Sequence, residues 1–340
     1  MTISIVQRDR PFSHLPGASC VLPRTCWTVQ AFPTKICLRD REREGSDGYI
    51  EISLNLQGPV KEFTLLQDLE KGMVLIWGMS LEGRFRLRLQ AVKGAIELWV
   101  ERAFSSGIIC SGKTLSKNDH LSWKNSGSFH ENKVQERLSL GCHRAQDWGS
   151  VWSRLDFSEI FPVLFHLSQW MPDFPIHAPS PMQKLLDRGL EPFLRAAFHG
   201  VLCPRLNDDQ FQGFLENAKV HSQDSPCSLI VDAGVRIRSF FIQQKVNELE
   251  LLPDTEFEAG RMTGVRLEQI GSLDFEWSKG TMQRAILHAA QSEHIRLKIS
   301  KSIRKFRLRT RMQEKGSIKS IDDILDLEAG KKYFLDRFQK

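Results

Sequence analysis

Apolar and polar positions alternate through much of the first hundred residues. Tyr49 to Leu56 puts Ile50, Ile52, Leu54 and Leu56 on one face of an extended chain. Gly83 to Gln90 repeats the pattern, with Phe85, Leu87 and Leu89 inward and Arg84, Arg86 and Arg88 outward. Val92-Lys-Gly94 then turns the chain into Ala95 to Phe104, where Ile96, Leu98 and Val100 form the next inner set. Alternation of this kind predicts antiparallel sheets with one wet face, hence a sandwich and not a doubly wound sheet. Ser111 to Arg137, rich in Ser, Lys, Asn and Gly, reads as hairpins or a linker closing that domain.

The pattern changes after Asp147. Asp156 to Trp170 is apolar nearly all round, as expected of a buried helix or of two short ones broken near Pro162. Ser180-Pro181 and Glu191-Pro192 open two further helices, which stop at Gly189 and Gly200. Leu229 to Gln244 fits helix or strand equally well. From Leu249 onward alternation returns. Leu273 to Trp277, a turn at Ser278-Lys-Gly280 and Met282 to Ala290 predict a hairpin. The predicted class is therefore α+β, mainly β. Two antiparallel β-sandwich domains, 1–140 and 246–340, are joined by a short helical segment, 141–245.

Composition adds bounds. The chain has 340 residues with 41% hydrophobic side chains, enough for two or three cored domains. Lys+Arg 47 against Asp+Glu 41 gives a net charge of +6, a weak pull on anions. Seven scattered cysteines without a C-x-x-C argue against a disulfide framework or a zinc site. Met1 to Gly17 carries no apolar secretory core, and Ile160 to Met171 is too short and too polar to span a bilayer. The expectation is a cytoplasmic protein with no membrane segment.

Four signals bear on chemistry. Gly107 to Thr114 spells the phosphate-loop pattern G-x-x-x-x-G-K-[ST], but no helical stripe follows it, so a β-hairpin is expected there instead of a nucleotide site. Arg296 to Lys315 carries nine basic residues, those of the strand-like stretches interleaved at period two with Ile, Leu and Phe, which predicts a basic face on neighbouring strands. His166, His177 and His199 lack metal-ligand spacing, so neither a metal nor a cofactor is expected. Asp147, Glu159, Asp187, Glu191, Asp208, Asp209, Glu216 and Asp232 all fall in the helical third, where paired carboxyls for glycoside chemistry would have to lie.

The last third carries motifs of a known family. Ile237-Arg-Ser-Phe-Phe-Ile-Gln243, Glu248-Leu-Glu-Leu-Leu-Pro253, Gly260-Arg-Met-Thr-Gly264, Asp274-Phe-Glu-Trp277-Ser-Lys-Gly280 and Leu327-Glu-Ala-Gly-Lys-Lys-Tyr333 follow one another in order. Together they resemble the end of glycoside hydrolase family 95, the inverting α-L-fucosidases and α-galactosidases. The resemblance implies an N-terminal β-supersandwich, an (α/α)₆ catalytic barrel and C-terminal β modules. Residues 150–245 are far too few for that barrel, and the positions of the family's general acid and water-holding Asn residues have no counterpart here. One acidic residue of its relay maps onto Asp232 in Leu229-Ile-Val-Asp232-Ala-Gly234, where a helix N-cap is the competing role.

The functional expectation is a glycoside-hydrolase-related protein that binds or processes carbohydrate without the full catalytic machinery. If it is active, it is an inverting α-glycosidase using Asp232. Trp 8 against Tyr 2 supplies candidate sugar platforms. Trp99 alternates out of phase with its buried neighbours, while Trp148 and Trp152 flank the β-to-α junction. The alternative is a scaffold using the basic strands Arg296 to Arg311 on nucleic acid or another anionic partner.

Overall fold

The computed structural model describes residues 2–5, 8–40, 48–124, 136–141, 147, 150, 157–172, 226–253, 257–299 and 303–340. The first sandwich is built from β1 (Phe12–Ser13), β2 (Ala18–Val21), β3 (Trp27–Ala31), β4 (Lys35–Asp40), β5 (Tyr49–Ser53), β6 (Lys61–Asp68), β7 (Met73–Ser80), β8 (Gly83–Val92), β9 (Ala95–Arg102), β10 (Ile108–Cys110), β11 (Lys113–Leu115) and β12 (His120–Lys124). A six-stranded sheet, β1-β6-β7-β8-β9-β12, packs on a four-stranded one, β2-β3-β4-β5. Phe85, Leu87, Leu89, Ile96, Leu98 and Val100 meet Val29, Ile36, Leu38 and Ile52 between them, and all are almost fully buried. The predicted inward sets are those observed.

Gly107 to Thr114 forms the expected hairpin. β10 and β11 pair antiparallel, and Ser111 and Gly112 both take positive φ, 48° and 78°, as a two-residue turn of the primed type requires. Backbone amides committed to a hairpin ladder cannot cradle a phosphate. Lys279 and Gly280 make the same kind of turn, φ 54° and 65°, in the second sandwich.

That second unit comprises β13 (Arg137–Ser139), α1 (Phe157–Ser168), α2 (Pro226–Phe241), β14 (Ile242–Lys245), β15 (Glu248–Leu251), β16 (Gly260–Leu267), β17 (Gly271–Ser278), β18 (Thr281–Ala289), β19 (Glu293–Ile299), β20 (Lys305–Arg309), β21 (Ser317–Ser320), β22 (Ile324–Leu327) and β23 (Lys332–Gln339). Its sheets run β13-β16-β17-β18-β23-β20-β21 and β14-β15-β19-β22. Strand β13, placed in the first domain by its position in the chain, pairs with β16 and so belongs here. The pair β15 and β19 is parallel, against the all-antiparallel expectation. Three strands of the opposite sheet separate them in sequence, so the chain crosses over and returns in the same direction.

Both helices close this core. α1 is one helix with Pro162 inside it, and Ile160, Phe161, Val163, Leu164, Phe165 and Leu167 are buried all round. Burial on every side stabilises it despite the lost amide. α2 buries Cys227, Ile230, Ala233, Ile237 and Phe241 on one stripe. Aromatic rings tie the helices to the sheet: Phe161 lies 5.2 Å from Phe257, and Phe241 lies 5.2 Å from Trp277.

Where the helices cross, Gly234 of α2 faces Ser168, and an added Cβ would run into that side chain. Alanine favours a helix over glycine by about 1 kcal/mol, but overpacking costs about 1–3 kcal/mol. Gly234→Ala is therefore expected to lower the denaturation midpoint, and Ser168→Gly in the same chain to recover it. A Gly234→Ala protein more stable than the parent would show that the crossing is not close.

Candidate functional site

The outer face of the six-stranded sheet is where alternation leaves charged and aromatic side chains exposed. Register sets them in rows across the strands. One row runs Thr64, Trp77, Arg86, and the next runs Leu66, Leu75, Arg88, Trp99, His120. A groove of about 630 Å³ lies on this face. Leu66, Met73, Leu75 and Trp77 give it an apolar lining, with Leu75 buried beneath. Arg84, Arg86, Arg88 and Arg102 border it, and Arg10 and Lys71 stand where the β6–β7 turn begins.

The groove's carboxylates are all engaged. Glu101 is shared by Arg86 at 3.1 Å and Arg88 at 3.2 Å. Buried Asp68 pairs with Arg10 at 3.2 Å and accepts the amides of Glu70 and Lys71. Glu62 reaches Arg84 at 3.6 Å with both side chains exposed, a contact worth little.

Trp99 does lie on this outer face, half-buried, as its phase in the strand requires. Its ring stands upright between neighbours: His120 stacks on it at 4.4 Å and the Arg88 guanidinium lies 5.4 Å from its centroid. Its Nε1 donates to Glu97 at 2.7 Å. Trp99 thus holds the rows in place and does not offer an open face. Trp77, which sequence reasoning passed over, lines the groove itself. It sits in the run Met73 to Ser80, which does not alternate, and only the outward arginines of the next strand hinted at its setting.

Trp148 and Trp152 lie outside the described residues, as do the predicted helix starts at Ser180 and Glu191. Asp232 lies within α2, past its first turn, and is exposed. The N-cap role is therefore corrected: the helix begins at Pro226. The basic face on neighbouring strands is also corrected. β19, with Arg296 and Lys298, belongs to the four-stranded sheet, and β20, with Lys305, Arg307 and Arg309, to the seven-stranded one. Period-two spacing assigns faces within a strand and says nothing about partners. Much of this charge is also neutralised. Arg307 and Arg309 both bind Asp336, whose carboxyl they hold below its ordinary range, and Lys298 reaches Glu250 at 3.2 Å.

Beside the groove, four distant residues converge. His166 Nδ1 hydrogen-bonds Asp9 Oδ2 at 2.8 Å, both side chains being almost fully buried. Arg137 forks onto Glu70 at 2.6 and 2.7 Å, and the Asp9 amide donates to Glu70 Oε1. Below them Trp170 donates its indole N–H to the Leu69 carbonyl at 2.7 Å, and the Arg24 guanidinium lies 4.8 Å over its ring. Asp9, Glu70 and His166 offer ligand atoms within 4.8 Å of one another. Both Glu70 oxygens already accept from Arg137, however, so a cation would have to displace a guanidinium. The arrangement acts as a clasp between the N-terminal sandwich and α1.

No family model and no curated protein matches this chain.

Burial opposes the ionisation of Glu70, but hydrogen bonds and charge from Arg137, with the Asp9 amide, outweigh it and hold the carboxyl below its ordinary 4.5. A depressed folded value contributes stability that is complete above about pH 4.5 and is lost as pH falls through the folded value. Denaturant titrations across this range should show a shallower acid loss for Glu70→Gln than for the parent chain. Equal slopes would mean that the clasp contributes nothing.

Proposed function

We propose that this chain is a non-catalytic glycan-binding protein, a relative of family 95 glycosidases that retains sandwich modules without the barrel. The observation that carries this reading is the groove on the outer face of the six-stranded sheet. It sets an indole and aliphatic lining among forked hydrogen-bond donors. That combination matches a pyranose, which has an apolar C–H face and a rim of hydroxyls. A sandwich supports such a face well, because the ladder behind it is rigid and the side chains need little reordering on binding.

Hydrolysis is left out of the proposal. An inverting enzyme needs one carboxyl in a less polar pocket and a second facing it across the bond, and the exposure of Asp232 on α2 does not favour that role. Location in a reducing cytoplasm is part of the reading and is supported by buried thiols. Burial pushes Cys110 up to about 11 and Cys20 higher still, which keeps both unreactive. No helix among the described residues is long and apolar enough to cross a membrane.

Titration calorimetry with a panel of oligosaccharides tests the reading. Trp77→Ala should weaken binding about tenfold, on the order of 1.4 kcal/mol, while Arg296→Gln on the second sandwich leaves it unchanged. Binding that survives Trp77→Ala and falls with Arg296→Gln would move the site to the basic strands.

A further inference from the structure

The groove also has a charge preference, which deepens the glycan reading and rests on it. Six cationic side chains line it against three carboxylates, a surplus of three. The carboxylates compensate poorly. Asp68 is buried and spends its oxygens on two backbone amides as well as on Arg10. The single charge of Glu101 is divided between two guanidiniums. Glu62 is exposed and more than 3.5 Å from Arg84. No ion pair joins Lys71 or Arg102 to another described residue.

Spacing gives the surplus a direction. Arg84, Arg86 and Arg88 occupy alternate positions of β8, so their stems recur about every 7 Å along the strand. A guanidinium presents two parallel N–H donors that fit a carboxylate or a sulfate equally well. A linear ligand carrying anionic groups at intervals could therefore engage successive arginines while its rings rest on Leu75 and Trp77.

We propose that the groove takes an acidic oligosaccharide, uronate-bearing or sulfated, whose anionic groups replace Glu101 on Arg86 and Arg88. Nucleic acid fits less well. Binding of single strands relies on aromatic faces open to bases. Here the Trp99 ring is held between Arg88 and His120, which leaves Trp77 as a single platform and not the run of aromatic faces on which successive bases stack.

The test titrates the full chain with an oligogalacturonate, a heparin-derived oligosaccharide, a neutral cello-oligosaccharide and a short random oligonucleotide, each at low and high salt. At least one acidic sugar should bind about tenfold more tightly than the neutral one and weaken as salt rises. The two acidic sugars distinguish carboxylate from sulfate recognition. Glu101→Gln, which removes the competing carboxylate, should tighten acidic binding severalfold. Arg86→Gln with Arg88→Gln should remove the acidic preference. Equal affinity for neutral and acidic sugars would overturn this inference and leave the glycan reading standing. No sugar binding at all would overturn both. An oligonucleotide bound more tightly than any sugar, or Glu101→Gln without effect, would also overturn the inference.

Discussion

The fold depends on how the end of α1 is held. Trp170 reaches into the turn between β6 and β7, donates to the Leu69 carbonyl and packs against Gly72, where positive φ of 67° and the absence of a side chain let the indole approach. One helical turn earlier, His166 bonds Asp9, and Arg137 ties Glu70 of the same turn to β13. Each sandwich has its own core, but Val21, Cys26 and Leu69 of the first are continuous with the core of the second. The β6–β7 turn is thus clamped on its inner side. On its outer side it presents Asp68 and Lys71 to the groove. The contact that joins the two halves also fixes one end of the candidate site.

Charge is distributed to the same effect. In the second sandwich the arginines of β20 are paired with Asp336 and are committed to holding strands together. In the first sandwich two arginines divide one glutamate, and Lys71 and Arg102 add charge that the groove's carboxylates do not balance. The modest excess of +6 over the whole chain is therefore a poor guide. What matters is where a carboxylate faces a guanidinium, and that depends on register across strands.

Local features were legible in the sequence, and partnerships between distant strands were not. Alternation identified the inward sets of β8 and β9, and a Gly-containing two-residue turn identified the β17–β18 hairpin, because both follow from backbone geometry over a few residues. The same reasoning identified Gly107 to Thr114 as a hairpin. It failed for β19 and β20, whose identical period conceals that they lie in opposite sheets. The clasp was invisible because Asp9, Glu70, Arg137 and His166 are scattered through more than a hundred and fifty positions. Trp99 was placed on the correct face, yet its ring is flanked by residues from two other strands, which no single-strand pattern reveals. Trp77 escaped because its strand is apolar on both faces, its outer residues forming the lining of a groove.

Hydrogen–deuterium exchange of the full chain with and without a bound acidic oligosaccharide tests the account most directly. Slower exchange is predicted in peptides covering β7 to β9, extending into the β6–β7 turn and the end of α1, since the clasp couples these to the groove. Protection confined to residues 293–309, with β7 to β9 unchanged, would contradict it.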